Sequence, residues 1–202
     1  PERMDAPDLS PAAHRAALAG LARINAVSRA AAALWRAVRP WAPSPGDPGP
    51  VRLLDLASGG GDVAVGLARR ARREGRAVQV EGCDHSEEAL EFARARAARE
   101  GESVPLFQQD LVADGVPRGY DVYVSSLFLH HLDNDEALRF VGDMAQGRGL
   151  AILDLARGRS GLVAAVVGTR LLTRSAVVHH DGPLSVRNAF TVGEARALAR
   201  DA

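Results

Sequence analysis

The stretch Val51-Arg-Leu-Leu-Asp55-Leu-Ala57-Ser-Gly59-Gly60-Gly61-Asp62 constrains this chain more than any other. An apolar run that short, cut off at once by glycines, suits a buried strand of a parallel sheet. Three consecutive glycines allow a tight turn and let the backbone approach a ligand closely, because no Cβ intervenes. From Asp62 the period changes, and Val63, Leu67 and Ala71 share one helical face with arginines opposite. Strand, glycine loop and helix together open a nucleotide-type βαβ unit. The rest of the chain must then supply more parallel strands, with helices on both faces and ligands at the carboxyl ends of the strands.

The sequence that follows meets this demand. The first unit is strand 51–56 and helix 62–74, stopped by Gly75. The second is strand 78–83 and helix 87–99, with Ser86 as N-cap and Gly101 as stop. A third strand covers 104–108, and Asp114-Gly-Val-Pro117 after it reads as a turn rather than a helix. Strand 120–125, helix 135–145 and strand 150–155 complete the alternation. This predicts an α/β fold with a Rossmann-like, doubly wound, mostly parallel sheet.

Before the sheet, Ser10-Pro11 opens a helix whose apolar positions run from Leu18 to Val38, as one helix or as two broken at Gly20. Pro40 to Pro50 holds five prolines and reads as a linker. The expected division is 1–50 for N-terminal helices and linker, 51–157 for the ligand-binding core and 158–202 for a cap and the start of a last helix. Within the cap, 162–172 is apolar and helical. The capping box Thr191-Val-Gly-Glu194 starts the last helix, in which the chain stops.

Composition excludes several classes. The net charge is zero, so no nucleic-acid partner is expected. No apolar run approaches the roughly 20 residues of a membrane span. A single cysteine, Cys83, leaves no internal disulfide and fits a cytoplasmic protein. All 25 basic residues are arginine, which excludes a P-loop lysine, a Schiff-base lysine and a Tyr-x-x-x-Lys pair.

The strand ends carry Asp55, Asp84, Asp110, Ser125 and Asp154, four of them acidic, where a merely structural sheet requires no charge. Asp84 lies 23 residues beyond Gly61, the spacing at which a carboxylate accepts from ribose hydroxyls. Gly59-x-Gly61-x-x-Ala64 and Asp84 alone fit a nicotinamide dehydrogenase as well. However, Asp55-Leu-Ala-Ser-Gly59-Gly-Gly61, with Asp84 and Phe107-Gln-Gln-Asp110-Leu111, resembles the class I S-adenosylmethionine-dependent methyltransferases in order and spacing, over residues 51 to about 157. Ala57 departs from that pattern at its first glycine.

The resemblance implies S-adenosylmethionine as cofactor and S-adenosylhomocysteine as product. The cofactor residues it implies are Asp55, Ala57, Gly59 and Gly61 for the methionine part, Asp84 and His85 for the ribose, Asp110 and Leu111 for the adenine, and Ser125 at the end of the fourth strand. It also implies that the N-terminal helices form a lid, and that strands are missing after Ala202, since a seven-stranded sheet needs more than five. Gln146-Gly-Arg-Gly149 is a second place where sequence is expected to be missing. His130 and His131, after the fourth strand, are similar to a pair in quinone-biosynthesis methyltransferases and become candidate bases. His179, His180 and Arg187 become candidate acceptor contacts. No metal site is expected, since two histidines fall short of the three protein ligands a catalytic zinc takes.

The expected activity is methylation of a small phenolic, enolic or quinol-type acceptor, at oxygen first and carbon second, by a monomer or homodimer. The alternatives are an NAD(P)-dependent oxidoreductase and a non-catalytic binding protein of the methyltransferase fold.

Overall fold

The computed structural model describes residues 2–4, 9–43 and 49–202. Five strands form one sheet: β1 (Val51–Leu56), β2 (Val78–Asp84), β3 (Leu106–Gln108), β4 (Val122–Ser126) and β5 (Gly149–Leu153). Their order is β3-β2-β1-β4-β5, and every pairing is parallel. The chain winds outward from β1 to β3, then returns to the other side of β1. The strand order therefore reverses between β1 and β4, and the crevice outside their carboxyl ends is where such a sheet binds ligands.

Eight helices surround the sheet among the described residues. They are α1 (Pro11–Ser28), α2 (Ala30–Val38), α3 (Asp62–Arg73), α4 (Glu87–Glu100), α5 (Asn134–Met144), α6 (Arg159–Leu172), α7 (Ala176–Asn188) and α8 (Val192–Asp201). The period of two in β1 divides the core. Leu53 packs with Val122, Val124 and the apolar faces of α2 and α3. Leu54 and Leu56 point the other way, onto Tyr123, Phe140 and Met144. Each of these leucines is at most 1% exposed, and such burial contributes about 1.5–3 kcal/mol per side chain. Asp55, on the same strand, is the costly exception.

Several expectations are corrected. Gly20 does not break the N-terminal helix. The break is at Arg29, whose left-handed backbone (φ 58°) ends α1 and begins α2. Gly20 lies inside α1 where a Cβ would come within 2.6 Å of Thr173 Oγ1, so its smallness lets the helix approach the segment after α6. Residues 176–188, left without an element by the sequence reading, form α7 despite Gly182 and Pro183. A proline inside a helix costs about 3 kcal/mol, which the buried Val177, Val178 and Val186 offset. Around 146–149 the chain makes a tight turn, with Gly147 N–H donating to the Met144 carbonyl and Arg148 N–H to the Asp121 carbonyl. Of the proline-rich stretch, 44–48 lie outside the described residues, and Arg39–Trp41 form a single 3-10 turn.

α6 packs on α7, and both pack on α1, so the roof over the strand ends comes from the two ends of the chain. No helix among the described residues is long and apolar enough to cross a membrane.

Candidate active site

The carboxyl ends of β1, β2 and β4 open into a cavity of about 760 Å³. Its floor is the glycine loop and its roof is α1, α6 and α7. The loop is held from below. Gly59 N–H donates to Asp84 Oδ2 at 2.8 Å, Ser58 N–H to the Cys83 carbonyl at 2.8 Å, and Gly60 accepts from Arg96 Nε at 2.8 Å. Gly61 has φ 70°, and a Cβ there would lie 2.7 Å from that of Ala93, so glycine is required twice over. Ala57 adopts φ 53° and Leu127, past β4, φ 57°. Left-handed backbone costs a non-glycine residue roughly 1–2 kcal/mol. Both such residues line the cavity, where strain of this kind gathers at functional sites.

Asp55 is 1% exposed, and its Oδ2 has no hydrogen-bond partner among the described residues. Burial, together with the charge of Asp62, pushes its carboxyl well above the ordinary range. The Ala64 backbone amide pulls it down, and Asp84 pushes it up again. Asp62 is raised too, by burial, against the opposing Arg96 charge and a hydrogen bond from Asn25 of α1. Three carboxylates thus converge on one end of the cavity with one oxygen unsatisfied. That end suits a cation bearing hydrogen-bond donors.

Asp84 accepts from Gly59 and, at 2.9 Å, from Ser86 N–H, so it braces the loop and caps α4 while still lining the cavity. His85 is exposed beside it. A second hollow, of about 250 Å³, shares Ala57, His85, Phe128 and His131 with the first and reaches Asp110 and Leu111. The Ala113 and Val112 amides bind Asp110 Oδ1 and hold its carboxyl below the usual range.

The same cavity is lined by His130 and His131. His130 is buried, and its Nδ1 is 2.6 Å from Asp154 Oδ1, while its own N–H donates to Asp154 Oδ2 at 3.1 Å. This fixes the ring and leaves Nε2 directed at Glu2, 3.7 Å away. His131 Nε2 is 3.8 Å from the other oxygen of Glu2. Much of the remaining lining is apolar, with Leu18, Leu21 and Ile24 of α1 and Ala165 of α6.

The structure thus brings Asp55, Ala57, Gly59, Asp84, His85, His130 and His131 to one cavity, and Asp110 and Leu111 to its annex. Gly61 shapes the loop from outside the lining. Four expectations need correction. Ser125 points away, fully buried, its hydroxyl donating to the Leu56 carbonyl at 3.2 Å. β4 ends one residue further than expected, and the alternation hands the cavity to Ser126, whose Oγ has no partner among the described residues. His179, His180 and Arg187 do not line the cavity. His179 Nε2 pairs with the Thr173 carbonyl, His180 Nδ1 with Asp181, and Arg187 is exposed. A helix, unlike a loop, turns the neighbours Asp181 and Ser185 inward instead. Glu2, Asp181 and Ser185 carry no local motif that reading could have found. Asp154 did carry one, as an acid at a strand end.

Known proteins agree with this geometry. Residues 53–148 match the family described as methyltransferase domain. A protein of Thermus thermophilus named demethylmenaquinone methyltransferase is 33% identical over 129 residues, covering 61% of this chain and 57% of that protein. Among solved structures, the plantazolicin methyltransferase BpumL with S-adenosylhomocysteine aligns with TM-score 0.56 at 18% identity, over 74% of this chain and 54% of its own. An O-methyltransferase family 2 protein of Planctomyces limnophilus, in complex with apigenin, aligns with TM-score 0.56 at 22% identity, over 89% and 53%. The chain spans little more than half the length of each of these relatives. Over residues 53–148 the chain is thus similar to methyltransferase domains, and its five-stranded parallel sheet shares the fold of the solved methyltransferases.

Proposed function

We propose that this protein transfers the methyl group of S-adenosylmethionine to a small acceptor bearing an ionisable hydroxyl: a phenol, an enol or a quinol. The observation that carries the reading is the orphaned Asp55 oxygen, in one cavity with the Asp154–His130 pair. In this reading Asp55 attracts the cofactor's ammonium, directly or through water, the loop at Gly59 and Gly60 receives the methionine part, and Asp84 with His85 faces the ribose. Asp110 and the Leu111 amide hold the adenine in the annex. Bound there, S-adenosylmethionine supplies a methyl group on a positively charged sulfur.

The chain's own groups do the rest. The apolar wall of α1 and α6 receives the body of the acceptor and keeps water away from the hydroxyl. Asp154 holds His130 so that Nε2 can take the hydroxyl proton, and His131 is its neighbour on the open side. Holding oxygen, methyl and sulfur in line supplies most of the acceleration, since such alignment can be worth about 7–11 kcal/mol. O-methylation is the first assignment and C-methylation the second. The relative named for demethylmenaquinone supports a quinone-type acceptor. A cytoplasmic monomer or homodimer completes the reading.

Calorimetric titration with S-adenosylhomocysteine, followed by a screen of phenols and quinols, tests it. Micromolar product binding and transfer to one acceptor class are expected. His130→Gln should then lower kcat about 10²–10⁴-fold, the range for a positioned base, with product affinity unchanged. Product binding without transfer to any acceptor would favour a non-catalytic protein of this fold. Failure to bind the product at all would sink the assignment.

A further inference from the structure

The acceptor end of the cavity holds a second, unassigned constellation. Glu2, His130 and His131 each offer one ligand atom, and these atoms lie within 4.8 Å of one another. Glu2 Oε1 is 3.7 Å from His130 Nε2, and Glu2 Oε2 is 3.8 Å from His131 Nε2. A tetrahedral zinc with bonds of about 2.0–2.2 Å holds its donors about 3.4 Å apart. The donors therefore need to close by a few tenths of an ångström to at most about 1.4 Å, within the reach of side-chain rotation.

The surroundings are built as metal-ligand surroundings usually are. A ligating histidine commonly gives its other ring nitrogen to a carboxylate, which fixes the tautomer and aims the ligating nitrogen. His130 has that arrangement, with Asp154 on Nδ1 and Asp154 itself accepting from Leu155 N–H. Glu2 is fixed as well. Its Oε1 accepts from Ser185 Oγ at 2.6 Å. The next two residues are clamped to α7, because Arg3 and Met4 N–H groups each donate to Asp181 at 2.9 Å. An acid from residue 2 is thus carried to two histidines more than a hundred residues away and held there by three hydrogen bonds.

We propose that Glu2, His130 and His131 bind one divalent transition-metal cation of the zinc, cobalt or iron(II) type at the acceptor end of the cavity. Two imidazoles and one carboxylate favour such ions over magnesium or calcium, which take oxygen ligands. Three protein ligands leave a position open toward the cavity, the pattern of a catalytic rather than a structural site. An acceptor hydroxyl entering that position loses its proton to water and is held as the anion, because the cation lowers its pKa. The C–S bond then breaks as the oxygen–methyl bond forms, and neutral S-adenosylhomocysteine leaves. With the cation bound, His130 serves as ligand instead of base. This step rests on the methyltransferase reading, whereas the binding of the cation does not.

The test uses the full chain, stripped with chelator and dialysed. It is titrated with Co²⁺ followed by visible absorption, then with Zn²⁺ by calorimetry. One equivalent is expected, with the bands of four- or five-coordinate cobalt. His131→Ala and Glu2→Gln, both on less buried partners than His130, should each weaken binding at least tenfold, and His179→Ala, off the cavity, should not. Absence of stoichiometric binding, or binding indifferent to both substitutions, would overturn the proposal. S-adenosylhomocysteine binding to the same stripped samples separates the two readings. Product binding without metal binding removes only the metal site, and metal binding without product binding removes only the methyltransferase assignment.

Discussion

Asp55→Asn removes one charge from the floor of the cavity with almost no change in shape. The wild-type carboxyl is fully enclosed, raised well above its ordinary value of 3.8 by burial first and the Asp62 charge second, and left with an unpartnered oxygen. Two consequences follow. In the cofactor complex the carboxylate meets an ammonium, and a hydrogen bond involving a charged group is worth about 1.5–3 kcal/mol. The Asn variant should bind S-adenosylhomocysteine about 10- to 150-fold more weakly by calorimetry. In the free protein the sign reverses. A raised folded-state value means the folded chain holds its proton more tightly than the unfolded chain. This contribution to stability is fully present below 3.8 and is lost as pH rises through the folded value. Across that window one proton is taken up on folding, a slope of at most about 1.4 kcal/mol per pH unit. Denaturant unfolding between pH 4 and 9 should show that decline in the wild type and a shallower one in the variant. Product binding to the wild type should also release part of a proton, seen as a dependence of the calorimetric heat on the buffer's ionisation enthalpy. Equal affinities in the two proteins, or parallel pH slopes, would refute the account of Asp55.

Three further outcomes are expected. Asp84→Ala removes the acceptor for Gly59 and Ser86 N–H groups. It should weaken product binding by about 1.5–3 kcal/mol, and an unchanged dissociation constant would take Asp84 out of the site. Gly61→Ala places a methyl 2.7 Å from that of Ala93 at φ 70°. It should destabilise by about 1–3 kcal/mol, and a thermal scan showing no drop in Tm would contradict the geometry. Burial, the leading cause, pushes the Cys83 thiol up to about 12. The folded protein should therefore resist alkylation at pH 8 and react only on unfolding, and prompt labelling of folded protein would show the site to be open.

The sequence alone determined the sheet and the glycine loop. These are local matters. The period of two in 51–56, the glycines that follow and the caps at Ser86 and Thr191 act within a few residues, so their chemistry is legible in order. The acids at strand ends were legible too, because a parallel sheet delivers every such end to one edge. What lay beyond reading was whatever depends on distant parts of the chain meeting. The break at Arg29 rather than Gly20, and the helix through Pro183, were decided by burial against neighbours that local propensity cannot foresee. A strand that ends at Ser126 rather than Ser125 gives the cavity to the later serine, since neighbours along a strand face opposite ways. Above all, only tertiary structure carried Glu2 to His130 and His131, with Asp154 behind and α7 clamping the segment. A carboxylate and two imidazoles become a ligand set by sharing a few ångströms of space, and separation along the chain holds no record of that.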